Sequence, residues 1–181
     1  MSFIKTLLSN LFLESYFKPK TRISKCFLLI GFTARQLQAI EKNTVQSVEN
    51  LNKKARVIDV ENLALKEIID VINKRYAPTL RESYENLMQT FEKENTVFII
   101  KNISKAKTDE RPGHLVKELV EMLDYTYQKS FEAKADLIVL DYSSFLEENW
   151  DIICNHVIYN YPSNFENSSH SLTEYAEIFQ N

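Results

Sequence analysis

The run Thr96-Val97-Phe98-Ile99-Ile100-Lys101-Asn102-Ile103-Ser104 constrains this chain more than any other stretch. Val97 to Ile100 are consecutive large apolar residues, and three of the four are β-branched. A strand with one wet face alternates apolar and polar residues. An unbroken run predicts a strand buried on both faces, as inside a parallel sheet. Parallel strands cannot be joined by hairpins; each pair needs a crossover of about a dozen residues or more, usually a helix. The sequence on either side should therefore alternate strand and helix.

It does. Residues 2–17 read as an amphipathic helix, with Ile4, Leu7, Leu8, Leu11 and Phe12 on one face, and Pro19 ends it. The basic connector Lys18-Pro-Lys-Thr-Arg22 follows. Cys26–Ile30 is a first buried strand. After Gly31, Thr33 and Gln36 form a capping-box pattern, and Leu37, Ile40, Thr44, Val48 and Leu51 mark a helix face. Arg56–Val60 is a second strand. Leu65, Ile68, Ile69, Ile72 and Tyr76 mark the next helix, which Pro78 breaks. Thr79 and Glu82 restart a helix whose buried face is Leu80, Tyr84, Leu87, Met88 and Phe91. After the central run comes a polar loop to Gly113. A helix with Leu115, Leu119, Met122, Leu123 and Tyr127 on one face follows. Asp136–Asp141 is a fourth strand. Ser144 with Glu147 predicts a third capping box on a short helix, and His156–Tyr159 is a fifth strand stopped by Pro162. The expectation is an α/β three-layer sandwich on a mostly parallel five-stranded sheet with right-handed crossovers. Residues 1–162 form the domain and 163–181 a polar C-terminal tail, in which Leu172, Tyr175, Ala176 and Phe179 suit a helical turn or two.

Composition narrows the options. With 181 residues and 44% hydrophobic content, one globular domain is expected. Two glycines leave no room for a Gly-rich phosphate loop. A net charge of −3 disfavours nucleic-acid binding by this chain on its own. Cys26 and Cys154 lie far apart among apolar neighbours, which suits two reduced thiols and a cytoplasmic setting. No apolar run is long enough to span a membrane, and no signal peptide is expected.

These strands in this order resemble the ATPase core of the AAA+ superfamily, over about residues 3–162. Phe27-Leu-Leu-Ile-Gly31 resembles the approach to a Walker A loop, Thr96–Asn102 a Walker B strand, and Leu137–Ser144 a sensor strand. The segment from Phe145 to Asn155, then His156 to Pro162, resembles the family's short helix, arginine position and fifth strand. Spacing from the sensor strand to Pro162 is most similar to clamp-loader subunits of the δ′ type. The resemblance implies a P-loop NTPase-like strand order.

It also exposes what this chain lacks. A P-loop reads G-x-x-x-x-G-K-[ST]; its backbone N–H groups cradle phosphates, its Lys neutralises them, and its hydroxyl ligates Mg²⁺. Counted from Gly31, the second glycine falls on Gln36, the lysine on Leu37 and the hydroxyl on Gln38. Lys101 and Asn102 stand where Walker B acids belong. Ile153, Cys154 and Asn155 stand where the arginine does, and 163–181 is too short for the helical lid. NTP hydrolysis needs these parts together, so the expectation is a domain that is not an ATPase and carries no cofactor or metal.

Open α/β sheets bind ligands outside the carboxyl ends of their strands. Those ends offer Asp59, Glu61, Lys101, Asn102 and Asp141, which could converge on a metal or serve as an acid/base pair. The plainer alternative is structural: Lys101 neutralising Asp59 or Asp141, and Glu61 capping the next helix. Trp150, Tyr159, Tyr161 and Phe165 cluster in sequence and could form a protein-binding surface or pack on the sheet. His114, His156 and His170 show no metal-ligand spacing. Three functions stay open at this point. One is a non-catalytic scaffold binding protein partners, in a DNA-replication or other DNA-transaction complex. Another is a small acidic regulator or immunity-type inhibitor of one cognate protein. The last is a metal-dependent enzyme built on the strand-end carboxylates.

Overall fold

The computed structural model describes residues 26–130 and 132–160. The amphipathic segment 2–17, the tail 163–181, Tyr161 and Phe165 lie outside the described residues. Five parallel strands form the sheet: β1 (Cys26–Gly31), β2 (Lys54–Asp59), β3 (Thr96–Lys101), β4 (Asp136–Tyr142) and the short β5 (Ile158–Asn160). The spatial order is β2-β3-β4-β1-β5. Four of the strands run six or seven residues; β5 adds three to the free edge of β1.

The helices are α1 (Ala34–Asn50), α2 (Leu65–Asn73), α3 (Leu80–Lys93), α4 (Gly113–Lys129) and α5 (Ser143–Ile153). Strand alternation sorts their contacts. Leu28, Ile30, Phe98, Ile100, Leu137 and Val139 point into a core shared with α2, α3, α4 and α5. Phe27, Leu29, Val97, Ile99, Ile138 and Leu140 point the other way, onto α1. Val97, Phe98, Ile99 and Ile100 are all fully buried. The unbroken apolar run exists because its strand is covered on both faces.

With only two glycines, the chain makes its left-handed turns with asparagine. Asn52, Asn62 and Asn102 all have positive φ, as does Lys74. Asn tolerates this region better than other side chains because its short polar group bonds locally. These turns correct several boundaries. β3 stops at Lys101, not Ser104, because Asn102 (φ 65°) turns the backbone into a single 3-10 turn, Ile103–Lys105. α2 stops at Asn73 because Lys74 is left-handed, so Tyr76 lies beyond the helix and is 79% exposed. The Lys66 ammonium sits 4.4 Å over the Tyr76 ring.

At Thr33 and Thr79 the N-cap half of the expected capping box forms, each hydroxyl accepting from the backbone N–H three residues on; Gln36 Oε1 accepts from Phe32 N and not from Thr33 N. The box expected at Ser144 does not form. Pairing of Gly31 with Tyr142 keeps β4 extended through Tyr142, so α5 begins at Ser143 and Ser144 lies inside it. The fifth strand starts at Ile158, and His156 lies in the turn after α5. At the opposite edge of the sheet, Lys53 and Asp136 form a buried ion pair at 2.6 Å, with Lys53 also donating to the Lys134 carbonyl. Cys26 is buried beside them. Burial, then Asp124 and Asp136, push its thiol pKa well up. No described helix is long and apolar enough to cross a membrane.

Candidate functional site

The carboxyl ends of β1, β2, β3 and β4 share one edge of the sheet, where a fold of this class takes its ligands. At the end of β1 the connection to α1 is only Phe32-Thr33. The positions that would make up a phosphate loop, from Ala34 onward, are already helical. Two N–H groups of this turn are taken by the turn's own side chains. Thr33 Oγ1 accepts from Gln36 N at 3.2 Å, and Gln36 Oε1 accepts from Phe32 N at 2.8 Å. Leu37 closes the turn. A Cβ built on Gly31 would meet Leu37 Cγ at 2.9 Å, so Gly31 is needed to admit the leucine. An aliphatic side chain packs where the resemblance puts a phosphate-binding lysine.

At the ends of β2 and β3 the polar groups bond to one another. Lys101 pairs with Glu41 of α1 at 3.0 Å, and not with Asp59 or Asp141. Asp59 Oδ1 accepts from Asn102 Nδ2 and from Glu61 N, both at 3.0 Å. Burial works to raise the Asp59 pKa. These hydrogen bonds, with Lys101 and Lys105 nearby, outweigh it and hold the carboxyl below its usual range. Glu61 contributes its backbone N–H and leaves its side chain exposed; Ala64, not Glu61, occupies the N-cap of α2.

Asp141, at the end of β4, is 1% exposed. Its carboxylate accepts from Ser104 N at 2.9 Å, Ser104 Oγ at 2.8 Å and Tyr142 N at 2.8 Å. Burial raises its pKa; the three hydrogen bonds and Lys105 oppose without reversing the shift. Asp141 thereby straps the 3-10 turn to β4. Nearby, Asn149 Oδ1 accepts from Gly113 N at 2.9 Å and Asn149 Nδ2 donates to Phe145 O, tying the start of α4 to α5.

The proposed convergence of carboxylates does not occur. Asp59 and Asp141 are each held by separate partners, and among the described residues no three His, Cys, Asp or Glu side chains come close enough to hold a metal ion. At the position of the family's arginine, Ile153 is buried, Cys154 half-buried and Asn155 exposed. Trp150 is 39% exposed on α5. Tyr159 lies on β5.

The sequence also mislocated an apolar surface. Leu80, Tyr84, Met88 and Met122 carry helical periodicity but are not fully buried: Leu80 is exposed, Met88 half-buried, and Tyr84 and Met122 half-buried against the margin of the core. With Tyr125 they line a groove of about 620 Å³ between α3 and α4. Leu80 is 42% and Tyr125 44% exposed. Periodicity says that a face is apolar; it does not say whether the sheet covers all of it.

No family model matches the chain, and no curated protein matches it. Among solved structures, a chain in the structure of Drosophila ORC bound to poly(dA/dT) DNA and Cdc6 superposes with a TM-score of 0.56. It has 10% identity over 97% of this chain and 31% of that chain. The crystal structure of Saccharomyces cerevisiae RIF2 superposes with a TM-score of 0.42 at 11% identity, over 98% of this chain and 72% of that one. This chain spans less than a third of the ORC chain's length. The ORC likeness shows the fold alone: an α/β domain on a parallel sheet.

Proposed function

We propose that this chain is a non-catalytic, AAA+-like protein-interaction domain, a degenerate member of the NTPase architecture that does not hydrolyse NTP. The observation that carries the reading is the two-residue turn between β1 and α1, sealed by Leu37 against Gly31. A triphosphate needs converging N–H donors and a cation at this place. Here the turn's own side chains take two donors, and an isobutyl group takes the cation's position. At β3, Lys101 pairs with Glu41 and Asn102 binds Asp59, so neither side chain offers the anionic oxygen a magnesium ion needs. The enzyme reading draws no support from carboxylates that do not converge. Fold alone does not fix function. The setting we favour is a scaffold in a DNA-transaction complex. Its support is the fold likeness to a chain of an ORC structure that contains DNA and Cdc6, together with the clamp-loader-like spacing of the last strands.

Calorimetric titration with ATP and Mg²⁺ tests the central claim. No saturable binding is expected up to millimolar nucleotide; micromolar affinity would refute the reading. Affinity purification from the native host separates scaffold from regulator. Recovery within a multi-subunit assembly supports the first, and a one-to-one complex with a single toxin or nuclease supports the second.

A further inference from the structure

β2 is the outermost strand of the sheet, with β3 on one flank and, among the described residues, no strand on the other. Lys54 N donates to Asn95 O, and Val60 N to Lys101 O. Alternate residues of a strand turn their N–H and C=O to the same side. Lys54, Arg56 and Ile58 therefore serve β3, and the backbone groups of Ala55, Val57 and Asp59 face outward. An open row of this kind takes up another chain unless charge, proline or a bulge blunts it. β2 has neither proline nor bulge, and its six residues pair with β3 without interruption, from Lys54 with Thr96 to Asp59 with Lys101.

The charge at its centre is withdrawn. The Arg56 guanidinium donates to the carbonyls of Val71 and Ile72 at the end of α2, and lies 5.9 Å from the centre of the Phe98 ring. Asp59, at the strand's end, is held by Asn102 and by Glu61 N. Apolar surface is left in their place. Val57 is 37% exposed, on the same sheet face as Ala55, which packs against the α1-side core. On the opposite face Val71, whose carbonyl Arg56 holds, is 41% exposed.

A second copy of β2 matches this pattern. Outward residues must meet outward residues, so an antiparallel copy shifts only in steps of two. With the two-fold axis at Val57, Val57 meets the partner's Val57 and Ala55 meets the partner's Asp59, each pair exchanging both N–H···O bonds. Arg56 then lies opposite the partner's Ile58, and no like charges are opposed. Moving the axis to Arg56 sets that residue against its own copy, a repulsive pair. Moving it to Ile58 sets Val57 against Asp59 and carries Ala55 beyond the strand, to Glu61. The other flank of the sheet offers no such match, because β5 is three residues long. Pairing β2 with β5 would also be head-to-tail and open-ended, whereas two β2 strands close on each other.

We propose that the chain forms a two-fold dimer in which β2 pairs antiparallel with β2 of a second copy, centred on Val57. The two five-stranded sheets then run on as one, and the carboxyl ends of the strands stay uncovered.

Sedimentation of the full chain over about two decades of micromolar concentration tests this, with hydrogen exchange read by NMR at both extremes. Mass should rise from one copy to two. Amides of Ala55, Val57 and Asp59 should be protected in the dimer and exchange freely on dilution, while β3 and β4 stay protected throughout. Val57→Lys places like charges on the two-fold axis and should weaken association by about tenfold or more. Val57→Pro removes an outward N–H and leaves the bonds to β3 in place, so it should weaken association too. Protection of β3 reports that each variant is folded. A chain that stays monomeric overturns the proposal. So does a dimer that persists in both folded variants, or one in which Ala55, Val57 and Asp59 exchange as they do in the monomer. The exchange readout uses wild type alone and decides between these outcomes even where a variant fails to fold.

Discussion

At the carboxyl edge of the sheet, polar side chains bind one another; on the outer face of α3 and α4, Leu80 and Tyr125 leave apolar surface in water beside the half-buried Tyr84, Met88 and Met122. The two regions invert what their sequences suggested. Asp59, Lys101, Asn102 and Asp141 have the residue types of a reactive crevice, yet each is engaged by a neighbour at 2.8–3.0 Å. Leu80, Tyr84, Met88 and Met122 have the types and periodicity of core, yet they border an open groove. Polar groups that satisfy one another internally stabilise a fold. Apolar groups left outside are the better sign of a binding surface. The comparison therefore assigns a structural role to the edge and leaves the α3–α4 face as exposed apolar surface.

If the edge is structural, substitution there should lower stability. The largest effect is expected at Asp141. Asp141→Ala strips an acceptor from Ser104 N, Ser104 Oγ and Tyr142 N in a buried place. A buried donor left without a partner costs about 1–3 kcal/mol, and denaturant unfolding should show a loss of that order. The pH dependence gives an independent check. The folded-state pKa of Asp141 is raised, so the folded chain holds this proton more tightly than the unfolded one. Its contribution is fully present below the unfolded value of about 3.9, and is lost as pH rises through the folded value. Measured against Asp141→Asn, wild type should therefore lose relative stability with rising pH across that interval. An unchanged difference would mean the carboxyl is not strained by burial.

A smaller effect is expected at the β1–α1 turn. Thr33→Ala removes the acceptor for Gln36 N at the start of α1. Loss of such a cap costs about 1 kcal/mol. It also frees one donor at the place where a triphosphate would sit, so the variant provides a stricter test of nucleotide binding. Calorimetry on Thr33→Ala should still find none, because Leu37 fills the site.

The sequence disclosed the sheet because burial on two faces leaves an unmistakable run, Val97 to Ile100, and because Thr33 and Thr79 cap locally. That the string G-x-x-x-x-G-K-[ST] does not occur was legible at once, because that motif is contiguous. The sequence could not disclose that Lys101 pairs with Glu41, or that Ser104 binds Asp141 across 37 positions. The first pair meets only once α1 packs on the sheet, the second only once β3 and β4 lie side by side. Asn102 illustrates the limit: a residue typical of turns sat at the end of a strong strand run, and its left-handed φ both ended the strand and aimed its amide at Asp59. The groove was hidden for a different reason. Helical periodicity marks an apolar arc, and the arc of α3 is wider than the sheet covers.

The smallest effect is expected on that arc, and it sharpens the comparison most. Leu80→Ser/Tyr125→Ser removes large apolar groups, a change that in a core would cost several kcal/mol. Both side chains are about half in water, and substitutions at such positions usually shift stability by about 0.5 kcal/mol or less. The cooperative unfolding midpoint should therefore stay near wild type, in contrast to the drop for Asp141→Ala. A double substitution that unfolds the domain as badly as Asp141→Ala would show that the groove belongs to the core, and the division between a structural edge and an exposed apolar helix face would fail.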